Sequence, residues 1–391
     1  MRRVLPIIVI SQFFCTSVWF AGNAVMPDIA KQFHLAPGFL AHLTSAVQFG
    51  FITGTLVFAV LTIADRFSPS LLFFSCSLIA AITNLGISIE GTHSTELLLF
   101  RFLTGFFLAG IYPVGMKIAS DHYQKGLGRS LGFLVGALVL GTAFPHLLKS
   151  LTINLPWKYV VFSTSALSVL GGWCMWLFVP NGPYRKPGQK LPITSFVSSF
   201  QNKKFRAAAF GYFGHMWELY AFWAFVPVML ATYNHHYTGV DLNIPFLSFL
   251  IIGSGSIACV ISGFISQIYG AKKIAAISLF LSATCCVLSP LLLLSSSVFT
   301  LLAFLFFWGL VVIADSPLFS TLVAQNAPEA TRGTSLTIVN CIGFSITIIS
   351  IQLMNLLLTD SNARFIYMLL AIGPALGLIA LLTNKTAPPS K

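Results

Sequence analysis

Long apolar runs alternate with short polar breaks along the whole chain, and their length is the first feature that predicts structure. A helix needs about 20 mostly apolar residues to cross the hydrocarbon core of a bilayer. Twelve runs of suitable length occur, at residues 4–26, 39–63, 69–89, 96–118, 129–150, 156–179, 207–231, 244–267, 273–295, 298–323, 333–358 and 364–383. The breaks between them carry turn residues or charge, as at Pro37-Gly38 and Gly270. The pattern therefore predicts an all-α polytopic membrane protein with twelve transmembrane helices.

The longest polar segment, residues 180–206, divides these runs into six and six. It is rich in proline and glycine, which is typical of a linker. We therefore expect an N-terminal six-helix bundle at 1–179, a central linker at 180–206, and a C-terminal six-helix bundle with a short tail at 207–391.

The two halves share positions that indicate an internal duplication. AGNAVMP in the first run and AFWAFVP in the seventh have Ala, Ala and Pro at the same spacing. Pro113 and Pro317, in the fourth and tenth runs, each precede an arginine that opens the next run, Arg129 or Arg332. These matches favour two pseudo-symmetric bundles. In duplicated transporters the substrate site lies near the bilayer midplane, between the repeats.

Composition excludes a water-soluble protein. The chain is 56% hydrophobic and only 8% charged, whereas soluble domains carry about 25% charged residues. A net charge of +12 is also found in nucleic-acid-binding proteins. Here, however, the basic residues lie in short loops between apolar runs, so we expect a lipid bilayer and no nucleic acid as the partner.

The distribution of Lys and Arg predicts the orientation of the chain. Of the 22 basic residues, 17 fall on the side of the N-terminus: Arg2, Arg3, Arg66, Lys117, Lys125, Arg129, Arg185, Lys186, Lys190, Lys203, Lys204, Arg206, Lys272, Lys273, Arg332, Lys385 and Lys391. The opposite side holds Lys31, Lys149, Lys158 and Arg364, and Arg101 lies inside a run. The positive-inside rule then places both termini and the linker in the cytoplasm.

The sequence carries no motif of an enzyme or a metal site. All seven cysteines lie within apolar runs without zinc spacing, which predicts small buried hydrophobic side chains. The phosphate-binding GxxxxGK[ST] and the zinc-binding HExxH are absent. We therefore expect no cofactor, no metal and no catalytic activity. If the protein moves a solute, a gradient of protons, ions or the solute itself must drive it.

Four short motifs resemble the major facilitator superfamily of secondary transporters. LTIADRFSPS, after the second run, keeps the acid and arginine of that family's loop motif at Asp65 and Arg66. GFISQIYGAKK, after the eighth run, keeps its glycines and basic residues, Lys272 and Lys273, with Gln267 in place of the acid. RFLTG supplies an arginine and a glycine in the fourth run. GALVLG in the fifth run has alanine where proton-coupled exporters carry proline.

The resemblance implies a monomeric carrier of a small solute that works by alternating access, as a symporter or an antiporter. WFAGNAVMP and GHMWELYAFWAFVP also resemble a bacterial branch of the superfamily, which implies the inner membrane. By the same resemblance, loop residues would join the halves in one conformation and form a cytoplasmic gate: Asp65, Arg66, Arg129, Lys272, Lys273 and Arg332. Lys117 and Asp121, close to that surface, are expected to be solvated.

Glu218 lies about halfway along the seventh run. A charged side chain at the bilayer centre costs about 3 kcal/mol on insertion scales. We therefore predict that Glu218 takes up and releases protons during transport. His215, one turn earlier, could share the proton or could simply pack. Two alternatives remain open. The carboxyl could hold a cationic substrate, or it could stay protonated and bond to a neighbouring helix.

Arg101 and Asp315 complete the predicted proton-coupling set with Glu218 and His215. Arg101, in the fourth run, could bind an anionic substrate, pair with a titrating carboxylate, or extend towards phospholipid. Asp315 stands two residues before Pro317, where a proline frees a backbone carbonyl and favours local unwinding. Asp315 could serve coupling or structural hydrogen bonding.

Six polar and aromatic residues at similar depth are the predicted lining of a substrate cavity. Asn and Gln within spans tend to face the bundle interior, because lipid offers them no partner. The predicted cavity residues are Trp19, Asn23, Gln48, Tyr112, Trp217 and Tyr220.

Two other functions compete with a proton-coupled carrier. The first is a uniporter or anion exchanger that uses Arg101. The second is a non-transporting receptor or sensor built on a carrier fold. A sensor usually adds a soluble output domain, and a linker at 180–206 with a short tail leaves little room for one. The solute and the direction of transport stay open, because fold does not fix function.

Overall fold

The chain is helical in every predicted span. The computed structural model describes residues 4–35, 38–123, 127–185, 199–328 and 332–383, without the side chains of 127–129. Its helices are α1 (Val4–Thr16), α2 (Ala21–Ala24), α3 (Met26–Phe33), α4 (Phe39–Val60), α5 (Ile63–Arg66), α6 (Pro69–Gly86), α7 (Ser94–Leu108), α8 (Tyr112–His122), α9 (Leu127–Leu151), α10 (Lys158–Phe178), α11 (Lys203–His236), α12 (Ile244–Tyr269), α13 (Ala271–Leu292), α14 (Val298–Val311), α15 (Ser316–Asn326), α16 (Arg332–Leu357), a 3-10 helix (Ile366–Ala371) and α17 (Ile372–Leu382). No strand occurs within these ranges.

Nine helical units in the described ranges are long and apolar enough to cross a membrane. They are α4, α6, α7 with α8, α9, α10, α12, α13, α14 with α15, and α16. The other three predicted spans are built differently. The first consists of α1, α2 and α3, the seventh is the 34-residue α11, and the twelfth is the 3-10 helix with α17. The predicted all-α membrane fold of twelve transmembrane helices in two six-helix bundles is confirmed.

Three of the spans are interrupted near their middle. The first span unwinds between α1 and α2, at residues 17–20, the fourth between α7 and α8, and the tenth between α14 and α15. Pro113 and Pro317 stand at the start of α8 and α15. Proline is tolerated there because its missing N–H has no partner in the first helical turn. The equivalent breaks in the fourth and tenth spans agree with the predicted duplication.

The seventh span, which the duplication pairs with the interrupted first span, has no such break. α11 runs without interruption through Pro227 and begins at Lys203, inside the segment expected to be linker. Asn202 caps it, because its side chain accepts from the backbone N–H of Lys204 at 2.9 Å. Residues 186–198 of the predicted linker, with Lys186 and Lys190, lie outside the described part.

Glycines allow neighbouring spans to touch backbone to backbone. A Cβ on Gly50 of α4 would collide with the carbonyl oxygen of Phe102 on α7, and one on Gly105 would collide with that of Val47. Small residues are the usual means of close helix packing in lipid, where no hydrophobic force drives helices together. The contact fixes the second span against the fourth and so positions Arg101.

The two halves meet mainly along two pairs of helices, α4 with α16 and α9 with α12. We name the face that holds Val4 and Leu382 the terminal face, and the opposite one, with Leu155 and Val240, the distal face. On α9, Gly136 lies close to the carbonyl oxygen of Ser256 on α12.

Near the distal face, Gln352 of α16 bonds to α4 of the other half. Its side-chain nitrogen donates to Ser45 Oγ at 2.8 Å and to the Ala41 carbonyl oxygen at 3.1 Å. Gly38 opens α4 with φ of 86°, and a side chain there would collide with Asn355 of α16. These contacts join the halves on the distal side.

Ion pairs on the distal face stay within the N-terminal half. Lys149 Nζ lies 2.8 Å from Asp28 Oδ2, and Lys158 Nζ lies 2.9 Å from Glu90 Oε1. Lys158 lowers the pKa of the exposed Glu90 carboxyl from its ordinary value of 4.5, by hydrogen bonding first and by charge second.

Candidate functional site

Arg101 is fully buried, and its position follows from the break in the first span. Because α1 ends at Thr16, the carbonyls of Val18 and Trp19 have no helical partner in the next turn. Arg101 donates one terminal N–H₂ group to the Val18 carbonyl oxygen at 3.1 Å and the other to the Trp19 carbonyl oxygen. The guanidinium thus supplies the donors that the interrupted helix lacks.

Asn84 of α6 holds the other side of this arrangement. Its side-chain oxygen accepts from Arg101 at 3.2 Å, while its nitrogen donates to Thr164 Oγ1 at 3.2 Å and to Ser165 Oγ at 3.0 Å. No carboxylate of the described residues lies within ion-pair distance of Arg101. Only its Nε is without a hydrogen-bond partner there. The network joins the first, third, fourth and sixth spans around one cation.

Glu218 faces the interior of the C-terminal half. Its Oε1 accepts from Trp308 Nε1 at 2.6 Å and from Cys286 Sγ at 3.2 Å, and Ser282 Oγ donates to Oε2. The carboxyl is 1% exposed. Glu218 therefore links α11 to α13 and α14, and three neutral donors surround a potential negative charge.

His215 and Asp315 form a buried pair one turn from Glu218. His215 Nδ1 lies 2.8 Å from Asp315 Oδ1, and each side chain is 1% exposed. Asp315 stands at the break of the tenth span, directly before α15. Within the described residues, Asp315 Oδ2 and His215 Nε2 have no hydrogen-bond partner. The pair thus joins α11 to the break of the tenth span through two ionisable side chains.

Aromatic side chains from both halves meet between the bundles, and two of the predicted cavity residues lie among them. We name as the aromatic cluster Trp19, Phe20, Phe51, Tyr220, Trp223 and Phe344, all buried. The ring centroids of Trp19 and Tyr220 are 6.0 Å apart, and Trp19 stacks on Phe344 at 5.8 Å. The cluster thus joins the first and second spans to the seventh and eleventh.

The other four predicted cavity residues are in different surroundings. Asn23 donates to Thr44 Oγ1 at 2.8 Å, which ties the first span to the second. Gln48 is fully buried on α4, and neither atom of its amide has a partner among the described residues. Tyr112 is buried at the start of α8. Trp217 is only half-buried and donates to the Leu369 carbonyl oxygen at 3.1 Å, which places it against the twelfth span.

On the terminal face, Asp65 pairs within its own half. Lys117 Nζ lies 3.0 Å from Asp65 Oδ1 and 3.6 Å from Asp121 Oδ2. Asp121 is only 6% exposed. The expectation that Lys117 and Asp121 are simply solvated was therefore wrong for Asp121, because the segment after α10 lies against it and Tyr184 N–H donates to its backbone carbonyl oxygen at 3.0 Å. The side chain of Lys117 is 24% exposed. Arg185 fastens the loop after α4 by donating to the Asp65 carbonyl oxygen at 2.9 Å.

The remaining gate residues are spread along the terminal face. Arg66 Nε donates to Thr62 Oγ1 at 3.2 Å. Lys272 lies near the start of α13, Lys273 Nζ lies 5.8 Å from the centroid of the Tyr269 ring, and Arg332 opens α16 as an exposed side chain. The side chain of Arg129 lies outside the described part. A gate between the halves at these residues stays a prediction.

Sequence reasoning did not identify the partners of the charged groups. Asn84, Ser282 and Trp308 are polar residues in apolar runs, and that signal could have marked them as interior. Cys286 was expected to act as a small hydrophobic side chain, but its thiol bonds to Glu218. His146 of α9 is also buried, with Nε2 unpartnered within the described ranges.

Comparison with known proteins gives the same picture. The sequence profile of the Major Facilitator Superfamily matches residues 8–351 and 208–391. A curated protein of Thermus thermophilus, described as a probable nitrate/nitrite antiporter, is 26% identical over 288 residues. The match includes 70% of this chain but only 62% of that relative's length.

Solved structures share the fold at low sequence identity. A mutant form of the nucleoside transporter NupG superposes with a TM-score of 0.73 at 14% identity and covers 97% of this chain and 99% of its own. The proton:xylose symporter XylE gives a TM-score of 0.74 at 11% identity, with 97% and 95% covered. The human organic anion transporter MFSD10 gives 0.74 at 12% identity, with 97% and 99% covered.

Proposed function

Because this chain belongs to the Major Facilitator Superfamily, we propose that it moves its small solute by alternating access of two halves, and that protons drive the movement. The proposed halves are 1–179 and 207–391, joined by the linker 180–206. A probable nitrate/nitrite antiporter is among its relatives and a proton:xylose symporter is among its structural neighbours, so the proposal includes both symport and antiport.

The observation that carries the proposal is the His215–Asp315 pair. Two titratable side chains 2.8 Å apart are buried at the break of a span, where the backbone is already interrupted. Ionisable residues inside a membrane are expensive and mark ion pathways or proton relays. Unpartnered Asp315 Oδ2 and His215 Nε2 give the proton a place to enter and to leave.

Glu218 connects protonation to helix movement in this proposal. An ionised carboxylate accepts from Ser282, Cys286 and Trp308, and so holds α11 to α13 and α14. Addition of a proton turns one of its oxygens into a donor and removes an acceptor from that set. The three helices are then held less tightly, and the C-terminal half can change its packing.

Neutral variants of the buried acids test the proposal. Proteoliposomes containing the purified protein and a trapped pH-sensitive dye are exposed to uracil, nicotinamide, xylose, nitrate and nitrite. We expect at least one solute to move protons. Asp315→Asn and Glu218→Gln should abolish that proton flux, whereas Glu90→Gln, which neutralises an exposed acid, should retain it. Unchanged proton flux in both buried-acid variants would reject coupling through these acids, and solute movement without proton flux in the native protein would reject proton coupling itself.

Orientation and assembly complete the proposal. The terminal face would be cytoplasmic, since it carries most of the basic residues. The membrane would be the bacterial inner membrane and the carrier a monomer. The loop cluster of Asp65, Lys117 and Asp121 would act on the cytoplasmic side, where Asp65 could exchange Lys117 for a partner on the other half.

An anion exchanger that uses Arg101 is the second candidate. The nitrate/nitrite relative favours it. The geometry favours the first candidate, because both terminal N–H₂ groups of Arg101 already serve protein oxygens. Nitrate exchange that is indifferent to pH and lost in Arg101→Lys would support the anion exchanger.

A further inference from the structure

Buried hydrogen-bonding groups in and beside the aromatic cluster have no partner among the described residues. The indole N–H groups of Trp19 and Trp223 have no acceptor among the described residues, and the amide of Gln48 has no partner on either atom. Trp19 and Trp223 belong to the cluster, and Gln48 lies on α4 one turn before Phe51, which is also in it. Buried polar groups are almost always bonded, so several unpaired ones in one region call for a ligand or water.

The rings themselves offer flat apolar surfaces from both halves. Across the two halves, the ring centroids of Phe51 and Phe344 are 4.6 Å apart. Within the C-terminal half, those of Tyr220 and Trp223 are 5.1 Å apart. Aromatic rings attract one another in offset-stacked and edge-to-face arrangements at such distances. A planar ring compound could therefore replace ring–ring contacts with contacts of the same kind.

Charged groups of the membrane interior are engaged elsewhere. Arg101 bonds to two carbonyls and Asn84, Glu218 is held by donors of α13 and α14, and Asp315 pairs with His215. Among the described residues, the one cation recorded over an aromatic ring is Lys273, at Tyr269. A cationic solute within the cluster would lack a free carboxylate, and an anionic one would meet only Arg101, whose terminal N–H₂ groups already bond to protein oxygens. Unpaired charge in such surroundings is strongly disfavoured.

We propose that the transported solute is an uncharged, flat ring compound with hydrogen-bond acceptors, bound between the rings of the aromatic cluster. The proposal rests on the transport function above. The indole N–H groups of Trp19 and Trp223 donate to the acceptors of the solute, and the Gln48 amide completes the set. Binding by groups from both halves would couple occupancy of the site to their relative position.

Matched ring compounds that differ in charge test this directly. Equilibrium dialysis with the purified protein in detergent, at one neutral pH, compares neutral nicotinamide with anionic nicotinate and cationic 1-methylnicotinamide. Uracil and its carboxylated analogue orotate form a second set. We expect saturable binding of nicotinamide or uracil, tighter by at least about tenfold than that of the charged analogues, because their charge would stay unpaired.

Removal of single N–H groups tests the site. Trp19→Phe and Trp223→Phe keep a ring but delete the donor, and each should weaken binding of the neutral compound about 2- to 12-fold, the effect of one hydrogen bond. Trp173→Phe is the matched control, because that side chain is 52% exposed on the outside of α10. If one of these two tryptophan variants no longer unfolds like the native protein, binding to the other variant provides the test.

Three results would overturn the proposal: tighter binding of nicotinate, orotate or 1-methylnicotinamide, saturable binding by neither neutral compound, or unchanged binding in a folded Trp variant. Arg101 is the cation nearest to Trp19, so the anionic analogues are the decisive competitors. The binding measurement uses no gradient. If neither neutral compound binds but a solute still drives a proton flux that Asp315→Asn abolishes, the proposed solute class is wrong and the coupling proposal stands. If nicotinamide or uracil binds but Asp315→Asn leaves the proton flux unchanged, the coupling proposal is wrong and the solute class stands.

Discussion

Replacement of Arg101 distinguishes a structural cation from an anion-binding one. The guanidinium bonds to the carbonyls of Val18 and Trp19 and to the amide oxygen of Asn84. Arg101→Met keeps most of the apolar stem and deletes every donor. Three buried acceptors then lose a donor: two carbonyls at the break of the first span and the amide oxygen of Asn84 on α6.

The expected loss of stability follows from these bonds. A hydrogen bond to a charged group contributes about 1.5–3 kcal/mol, and an acceptor left buried without a donor costs about 1–3 kcal/mol. Bonds on one guanidinium are not additive, so we expect Arg101→Met to lower the free energy of unfolding by about 3–5 kcal/mol. Arg101→Lys keeps the charge but has one compact donor group, so it should lose roughly half as much.

Denaturant titration of the purified protein in detergent measures this, with helix content and tryptophan fluorescence as probes. Arg66→Met is the control, since Arg66 is exposed and bonds only locally to Thr62. That control should change the free energy of unfolding by less than about 0.5 kcal/mol. Nitrate binding is measured in the same samples.

A stable Arg101→Met protein would refute the structural role. If the variant unfolds like the native chain and loses only its binding of nitrate, then Arg101 serves a solute and the carbonyls of Val18 and Trp19 do not need it. Loss of stability with no change in solute selectivity is the result that our reasoning requires.

Two further predictions follow from the packing. Gly50→Ala should destabilise the fold by about 1–3 kcal/mol, because the added Cβ would meet the Phe102 carbonyl. Gly263→Ala is the control and should not destabilise the fold, because nothing lies within 4 Å of its added Cβ. Equal thermal stability of the two variants would contradict the close packing of α4 on α7. Cysteines at Ser45 and Gln352, whose side chains bond at 2.8 Å across the halves, should be joined by a short bifunctional thiol reagent, and transport should then stop. The single Ser45→Cys variant controls for modification elsewhere, and transport by the fully crosslinked protein would rule out opening on the distal side.

The order of helices was readable from the sequence because lipid imposes it. In a bilayer every backbone polar group must be bonded within the protein, so long apolar runs form helices wherever they occur. Run length predicted the spans, and Pro317 indicated the break in the tenth span. Pro113 was recognised only as the counterpart of Pro317 in the duplication, and it lies at a second break. The motifs with Asp65 and Arg101 indicated the family.

The partners of the buried groups depended on the tertiary structure. Glu218 stood out in the sequence because a charge in an apolar run is rare, but Ser282, Cys286 and Trp308 come from helices far along the chain. The rotation of a helix about its axis decides whether a residue faces lipid or the protein interior. Membrane helices carry apolar residues on nearly every side, so the periodicity of the sequence does not predict that rotation. Trp217 illustrates this, since it turns towards the twelfth span.

The sequence by itself determined the membrane fold, the number of spans and the presence of ionisable groups in the interior, because each follows from local composition and run length. Only the tertiary structure decided that Arg101 supports a broken helix, that Asp315 pairs with His215, and that aromatic rings of both halves meet at the centre. Those arrangements arise from contacts between segments distant in the chain, and the packing of helices against one another selects them.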